Sequence, residues 1–151
     1  MVEEKIKELG FELPETAKPL AAYIPALQVE KLVFTAGQLP TVKGELKTKG
    51  KLGKEVSAEE GKAAAEISAL NCLSAVKSVI ADLDRIEKVV KLTVFVNSAE
   101  GFTSQPAVAN GASELISKIF GENGKHVRSA VGVNELPLNA PVEIEMTVKL
   151  K

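Results

Sequence analysis

The chain has 151 residues, a formal net charge of −1 at pH 7, and a composition of 45% hydrophobic and 26% charged residues, as in a globular domain. One cysteine, Cys72, and one histidine, His126, exclude an intrachain disulfide and a tetrahedral zinc site. The charge excludes a global basic field for nucleic acid, and no apolar run approaches the roughly 18 residues of a membrane span. With no secretory signal pattern, we expect a cytoplasmic protein that uses neither metal nor cofactor.

The N-terminal segment predicts a short helix. Val2, Ile6 and Leu9 recur at helical spacing before Gly10 ends the pattern. Two prolines then mark an extended stretch, so we expect a segment of residues 1–18 ahead of a single domain of residues 19–151.

The next part of the chain predicts a hairpin, a loop and a long helix. Residues 22–27 and 31–38 are short and β-rich, and a lysine-rich loop with a short edge strand near Glu45 follows them. Ser57 and Glu60 have the spacing of a capping box, and an apolar stripe then continues as far as Leu83. Cys72 lies on this helix, where we expect it to be a small buried hydrophobe.

The second half predicts a strand, a helix and two strands, at residues 88–97, 108–120, 128–133 and 142–150. The order of elements indicates an α+β fold with one mixed sheet and two helices packed on one face. The other face would display Thr35, Thr93 and Phe95, so we expect identical subunits to bury it.

Catalytic motifs of the common kinds are missing from the sequence. It contains no G-x-S-x-G elbow, G-x-G-x-x-G loop or Walker pattern. We expect His126 to be a solvent-facing loop residue, although a cation there would add to an anion site beside Arg128. Arg128 begins one strand and Glu143 lies on the next, and from the residues alone Arg128 is equally consistent with a structural ion pair and a ligand contact.

Several segments resemble the Rid/YjgF family of reactive-intermediate deaminases, from about Pro19 to the C-terminus. The run R-S-A-V-G-V from Arg128, followed by L-P and V-E-I-E, is similar to the family's C-terminal signature. The run T-A-G-Q-L-P from Thr35 resembles its T-S-G-Q-[IL]-P strand end. Tyr23 has the spacing of the family's site tyrosine, and Asn110 matches the asparagine of its V-N-A motif.

The resemblance implies a chorismate-mutase-like homotrimer with three clefts between subunits. In such a cleft Arg128 would grip the carboxylate of a 2-imino or enamine acid, which is hydrolysed to a 2-keto acid and ammonia without a cofactor. Glu143 would orient or activate the attacking water. The resemblance assigns substrate binding to Tyr23, Ala36, Gly37, Asn110, Ser129 and Ala130.

Departures from the family pattern indicate a divergent branch. Ala36 stands where the deaminases usually have serine, His126-Val127 replaces Pro-Ala, and Ala130 replaces a frequent cysteine. We therefore keep a second hypothesis, a non-catalytic binding protein for small carboxylates such as keto acids. RNA cleavage, RNA binding or a chaperone-like role is a third, and the net charge and the shortage of aromatic residues argue against RNA.

Overall fold

The structure, a computed structural model, describes residues 1–16 and 22–151. Its main sheet has five strands in the order β1-β2-β7-β5-β6, and only β5 and β6 run parallel. The strands are β1 (Ala26–Val29), β2 (Leu32–Thr35), β5 (Ile86–Asn97), β6 (Val127–Val133) and β7 (Val142–Leu150). This is the predicted mixed sheet, with β7 at its centre, β5 between β7 and β6, and β6 at one edge.

Two long helices, α2 (Ala58–Ile80) and α3 (Gln105–Phe120), cover one face of the sheet, as predicted. Ser57 caps α2 by accepting a hydrogen bond from the Glu60 amide at 3.1 Å. By length and composition α2 could cross a membrane, but two thirds of its most apolar stretch is buried inside the domain, as expected of a core helix. Cys72 on α2 is fully buried, and burial raises the pKa of its thiol to about 12.

The opposite face of the sheet is open and apolar. Leu27, Val29 and Phe34 at one edge and Val127 and Val131 at the other are between 42% and 64% exposed. Thr93 and Phe95 lie on this face as predicted, since their partners in register are Glu145 and Glu143.

Thr35 was wrongly predicted on the open face. Exposed and buried residues alternate along β2, and Val33 and Thr35 point toward the helices. The Thr35 hydroxyl accepts a hydrogen bond from the Met146 amide at 3.0 Å. It therefore lies on the helix side, where it also contacts Cys72.

The N-terminal helix α1 (Val2–Glu8) packs into the same core, where Ile6 is 1% exposed. The Val2 amide donates to Asp84 Oδ1 at 2.8 Å, which joins α1 to the turn that follows α2. The expected boundary between residues 18 and 19, and with it Pro19, lies outside the described residues.

A two-stranded ribbon, β3 (Thr41–Val42) and β4 (Glu45–Leu46), occupies the lysine-rich loop, so the expected strand near Glu45 is present but pairs apart from the main sheet. Lys51 differs from a solvated loop lysine. Its ammonium donates to Asn97 Oδ1 at 2.9 Å and to the Asn134 carbonyl, which ties two loops to the end of β5.

Candidate functional site

Arg128 lies on β6 beneath α3, and its guanidinium contacts neutral groups. Nη1 donates to Asn110 Oδ1 at 2.9 Å and to Ser113 Oγ at 3.0 Å, and Nη2 donates to the Pro106 carbonyl at 3.5 Å. Within the part of the chain that the structure describes, Arg128 forms no salt bridge with a carboxylate. The positive charge is therefore held in place without being neutralised.

This arrangement leaves one edge of the guanidinium for a ligand. Both protons of Nη1 are used by Asn110 and Ser113, whereas the Nη2 contact is long and Nε makes none among the described residues. A guanidinium edge of two N–H donors matches the two oxygens of a carboxylate. The geometry of Arg128 is thus suited to binding the carboxylate of a small organic acid, as the family resemblance implies.

Ser113 is a contact of Arg128 that was not predicted from the sequence, and His126 does not face the solvent as predicted. The His126 ring is half-buried, with Nε2 at 2.9 Å from Ser113 Oγ and Nδ1 at 2.6 Å from the Gly124 carbonyl. His126 is a loop residue whose ring turns inward, because the Ser113 hydroxyl of α3 and the Gly124 carbonyl provide hydrogen-bond partners for both of its nitrogens. Ser113 follows Asn110 by three residues on α3 and so lies on the same helix face, which is the signal that could have found it.

Glu143 lies on the opposite face of the sheet. Its neighbours on β7, Val142 and Ile144, are fully buried toward the helices, and alternation places Glu143 on the open face beside Phe95 of β5. The carboxylate is half-buried. Burial raises its pKa above the ordinary value, and the negative charge of Glu145 raises it further.

Gly37 makes room for the Glu143 carboxylate. A Cβ at Gly37 would lie 2.5 Å from Glu143 Oε1, so no side chain fits without moving that carboxylate. Backbone hydrogen bonds between Gln38 and Ile144, at 2.7 and 3.0 Å, hold this segment against β7. The Ala36 amide donates to the Pro25 carbonyl at 2.8 Å, which brings the segment of Tyr23 to the same edge, where Tyr23 is 58% exposed.

The predicted site residues therefore form two groups in one chain. Asn110 joins Arg128 on the helix side from the second turn of α3, which begins three residues before the predicted helix of residues 108–120. The half-buried Ala130 lies two residues after Arg128 on the same face of β6. The other group, on the open side near β7, consists of Glu143 and Gly37, with Ala36 next to Gly37. Tyr23 is exposed and is linked to this edge through the Pro25–Ala36 hydrogen bond, not through a contact with Glu143 in the described residues. Ser129 is exposed on the open face in register with Thr93. The chain alone does not bring the two groups together, and their roles in binding and catalysis stay predictions.

Comparison with known proteins places this geometry in context. A family model described as "YjgF/chorismate_mutase-like, putative endoribonuclease" matches residues 3–150. Protein TCP17 of Trypanosoma cruzi is 43% identical over 150 residues, which cover 99% of this chain and 94% of that protein. A protein of Dermatophagoides farinae named 2-iminobutanoate/2-iminopropanoate deaminase is 28% identical over 138 residues, covering 91% of this chain and 93% of that protein.

The fold is shared with a solved structure over nearly its whole length. The crystal structure of the protein Atu1372 from Agrobacterium tumefaciens superposes with a TM-score of 0.94 at 41% identity, covering 99% of this chain and 92% of that one. The single sheet with helices on one face thus agrees with the family fold predicted from the sequence. The chain belongs to the YjgF/chorismate-mutase-like family, which includes the Rid proteins.

Proposed function

We propose that this protein hydrolyses small 2-imino or enamine carboxylic acids to 2-keto acids and ammonia, in a cleft between protomers of a homotrimer. The observation that carries the proposal is the Arg128 guanidinium, which is held by neutral acceptors and paired with no carboxylate in the described residues. Such a group binds a carboxylate without first breaking an internal ion pair.

The second reacting group in this proposal is Glu143. Water adds to the imine carbon and gives one proton to the Glu143 carboxylate, which passes it to the imine nitrogen to form the neutral carbinolamine. The carbinolamine hydroxyl proton then moves through the same carboxylate to the amino nitrogen, the C–N bond breaks as the C–O double bond forms, and ammonia leaves with Glu143 again ionised. A carboxylate whose pKa is raised is a better base for this step, and general-base help of about 10²–10⁴-fold suffices for an electrophile such as an imine.

Two protomers are needed because Arg128 and Glu143 face opposite sides of one sheet. The exposed apolar residues of the open face, among them Phe34 and Val131, support burial of that face by further copies of the chain. The relative named as a 2-iminobutanoate/2-iminopropanoate deaminase supports the substrate class.

The direct test generates 2-iminobutanoate enzymatically and follows its disappearance. The wild-type protein should accelerate the loss, and Arg128→Ala should lower the rate by about 100-fold or more, since two charge-assisted hydrogen bonds contribute about 3 kcal/mol or more. Arg85→Ala is the matched control, because the other arginine of the chain donates to the Ile80 carbonyl, remote from this site. If the wild-type protein does not accelerate the loss of the imine beyond its spontaneous hydrolysis, the proposed enzymatic function is wrong.

A second candidate is a non-catalytic receptor for small carboxylates. Ala36 favours it, because the hydroxyl of the serine usual in the deaminases is missing next to Gly37 and Glu143. A rise in melting temperature with 2-ketobutyrate that depends on Arg128, without turnover of the imine, would select this function.

A further inference from the structure

Arg128 lies at the end of a chain of hydrogen bonds that begins at the Gly124 carbonyl, in the turn that follows α3. Gly124 packs so closely on this helix that a Cβ there would lie 2.6 Å from the Ile116 carbonyl oxygen. Its own carbonyl contacts His126 Nδ1 at 2.6 Å, and His126 Nε2 contacts Ser113 Oγ at 2.9 Å. Ser113 Oγ in turn accepts from Arg128 Nη1 at 3.0 Å.

The direction of every proton in this chain follows from chemistry. A carbonyl oxygen only accepts, so His126 Nδ1 carries the proton that it shares with Gly124. In the neutral ring Nε2 is then an acceptor, and the Ser113 hydroxyl donates to it. The lone pairs of Ser113 Oγ are thereby left to accept from Arg128.

We propose that Ser113 and His126 are positioning residues, which fix the Arg128 guanidinium so that its Nε–H and Nη2 edge meets the substrate carboxylate. This inference rests on the proposed function for its ligand, but not for its geometry. A helical serine without another acceptor turns its hydroxyl to a carbonyl of the preceding turn. His126 prevents this rotation by accepting the hydroxyl proton, and Ser113 Oγ stays aimed at Arg128.

Nuclear magnetic resonance tests the positioning without any ligand. The chain has only two arginines and one histidine, so the Arg85 and Arg128 Nε–H signals and the imidazole nitrogens can be assigned with single variants. In mildly alkaline buffer we expect His126 in the Nδ1–H tautomer and an ordered Arg128 Nε–H. Ser113→Ala and His126→Phe should both increase the mobility of Arg128 and leave Arg85 unchanged, whereas Ser113→Thr, which keeps the hydroxyl, should preserve the order.

The affinity for 2-ketobutyrate tests whether this positioning matters for ligand binding. Ser113→Ala and His126→Phe should each weaken 2-ketobutyrate binding by about three- to tenfold, the effect of losing one hydrogen bond. The double variant should bind no more weakly than Ser113→Ala. An Nε2–H tautomer, or an unchanged Arg128 order in His126→Phe, would overturn the inference. If neither the wild type nor Arg128→Ala binds keto acids, the proposed function fails. The tautomer of His126 and the mobility of Arg128 still test whether Ser113 and His126 position the guanidinium. If His126→Phe does not fold, the tautomer and Ser113→Ala decide it.

Discussion

Arg128 and Glu143 lie on strands separated by β5 alone, yet their side chains leave the sheet on opposite faces. Arg128 is in register with Leu92, which is buried beneath the helices, whereas Glu143 is in register with Phe95 on the open face. Rotation of either side chain cannot cross the sheet. A site that uses both groups on one substrate therefore takes them from different copies of the chain.

This relationship predicts that two inactive variants complement each other. Arg128→Ala and Glu143→Gln should each lose imine hydrolysis. After unfolding and refolding as an equal mixture, they should recover about a quarter of wild-type activity, because one in four intersubunit sites then pairs an intact Arg128 with an intact Glu143. The measurement is the initial rate against subunit ratio, with each variant refolded alone as the control. If both variants assemble into mixed oligomers and no activity returns, a site shared between protomers is contradicted.

Replacing Gly37 by alanine should displace Glu143. The new methyl group would lie 2.5 Å from Oε1 and 2.8 Å from the carboxyl carbon of Glu143, so the half-buried carboxylate must move away from Gly37. We expect imine hydrolysis to fall with a small change in melting temperature. In a Glu143→Ala background the same substitution should change the melting temperature less, since the clash is gone. An active Gly37→Ala enzyme would contradict the placement of Glu143 at the site.

The stability of Glu143→Gln should depend on pH in a defined direction. Burial and the charge of Glu145 raise the folded-state pKa above the ordinary value of 4.5, so ionisation of Glu143 disfavours the folded state. Below pH 4.5 the carboxyl is protonated in both states and the penalty is absent; it is complete above the raised pKa. Glu143→Gln should therefore raise the melting temperature at neutral pH, and the gain should shrink as the pH falls to 4.5.

Thermal melts across this range check the prediction. Glu145→Gln should give a smaller gain, because its charge is the lesser of the two causes of the shift. A lower melting temperature for Glu143→Gln at neutral pH would show instead that the carboxylate makes a stabilising contact.

Most of the fold could be predicted from local patterns. The alternation along β7 and the apolar stripe of α2 fix which side of each element is buried. Each predicted element has a counterpart, but the first hairpin strand, predicted at residues 22–27, is β1 (Ala26–Val29) and so begins four residues later. Thr35 was misplaced because β2 is only four residues long, so one polar residue on the inner face reverses the apparent alternation. Its hydroxyl is satisfied inside by the Met146 amide, a contact between residues far apart in sequence.

The site was less accessible to sequence reasoning. Arg128 and Glu143 were found through the family resemblance, but the facing of their side chains depends on the register of three strands. His126 was predicted to face the solvent because it follows a glycine- and lysine-rich turn. Its inward orientation depends on the contact with Ser113 and on the close packing of Gly124 against α3, and neither contact leaves a pattern in the sequence around His126.

The crossing of the two long helices predicts a strong effect at one glycine. A Cβ at Gly111 of α3 would collide with the Lys62 carbonyl oxygen of α2 and lie 2.9 Å from the carbonyl carbon. Backbone cannot yield as a side chain can, so Gly111→Ala should lower stability by about 1–3 kcal/mol despite the higher helix propensity of alanine.

Gly61→Ala on α2 is the matched comparison. Its Cβ would meet a methyl group of Leu52 at 2.6 Å. Because a side-chain methyl group can shift by rotation whereas the backbone carbonyl facing Gly111 cannot, a smaller loss is expected. The melting temperatures of the two variants test whether Gly111→Ala destabilises the protein more than Gly61→Ala. Since glycine to alanine within a helix otherwise stabilises by about 1 kcal/mol, a Gly111→Ala protein that melts higher than the wild type would show that α2 and α3 do not approach this closely.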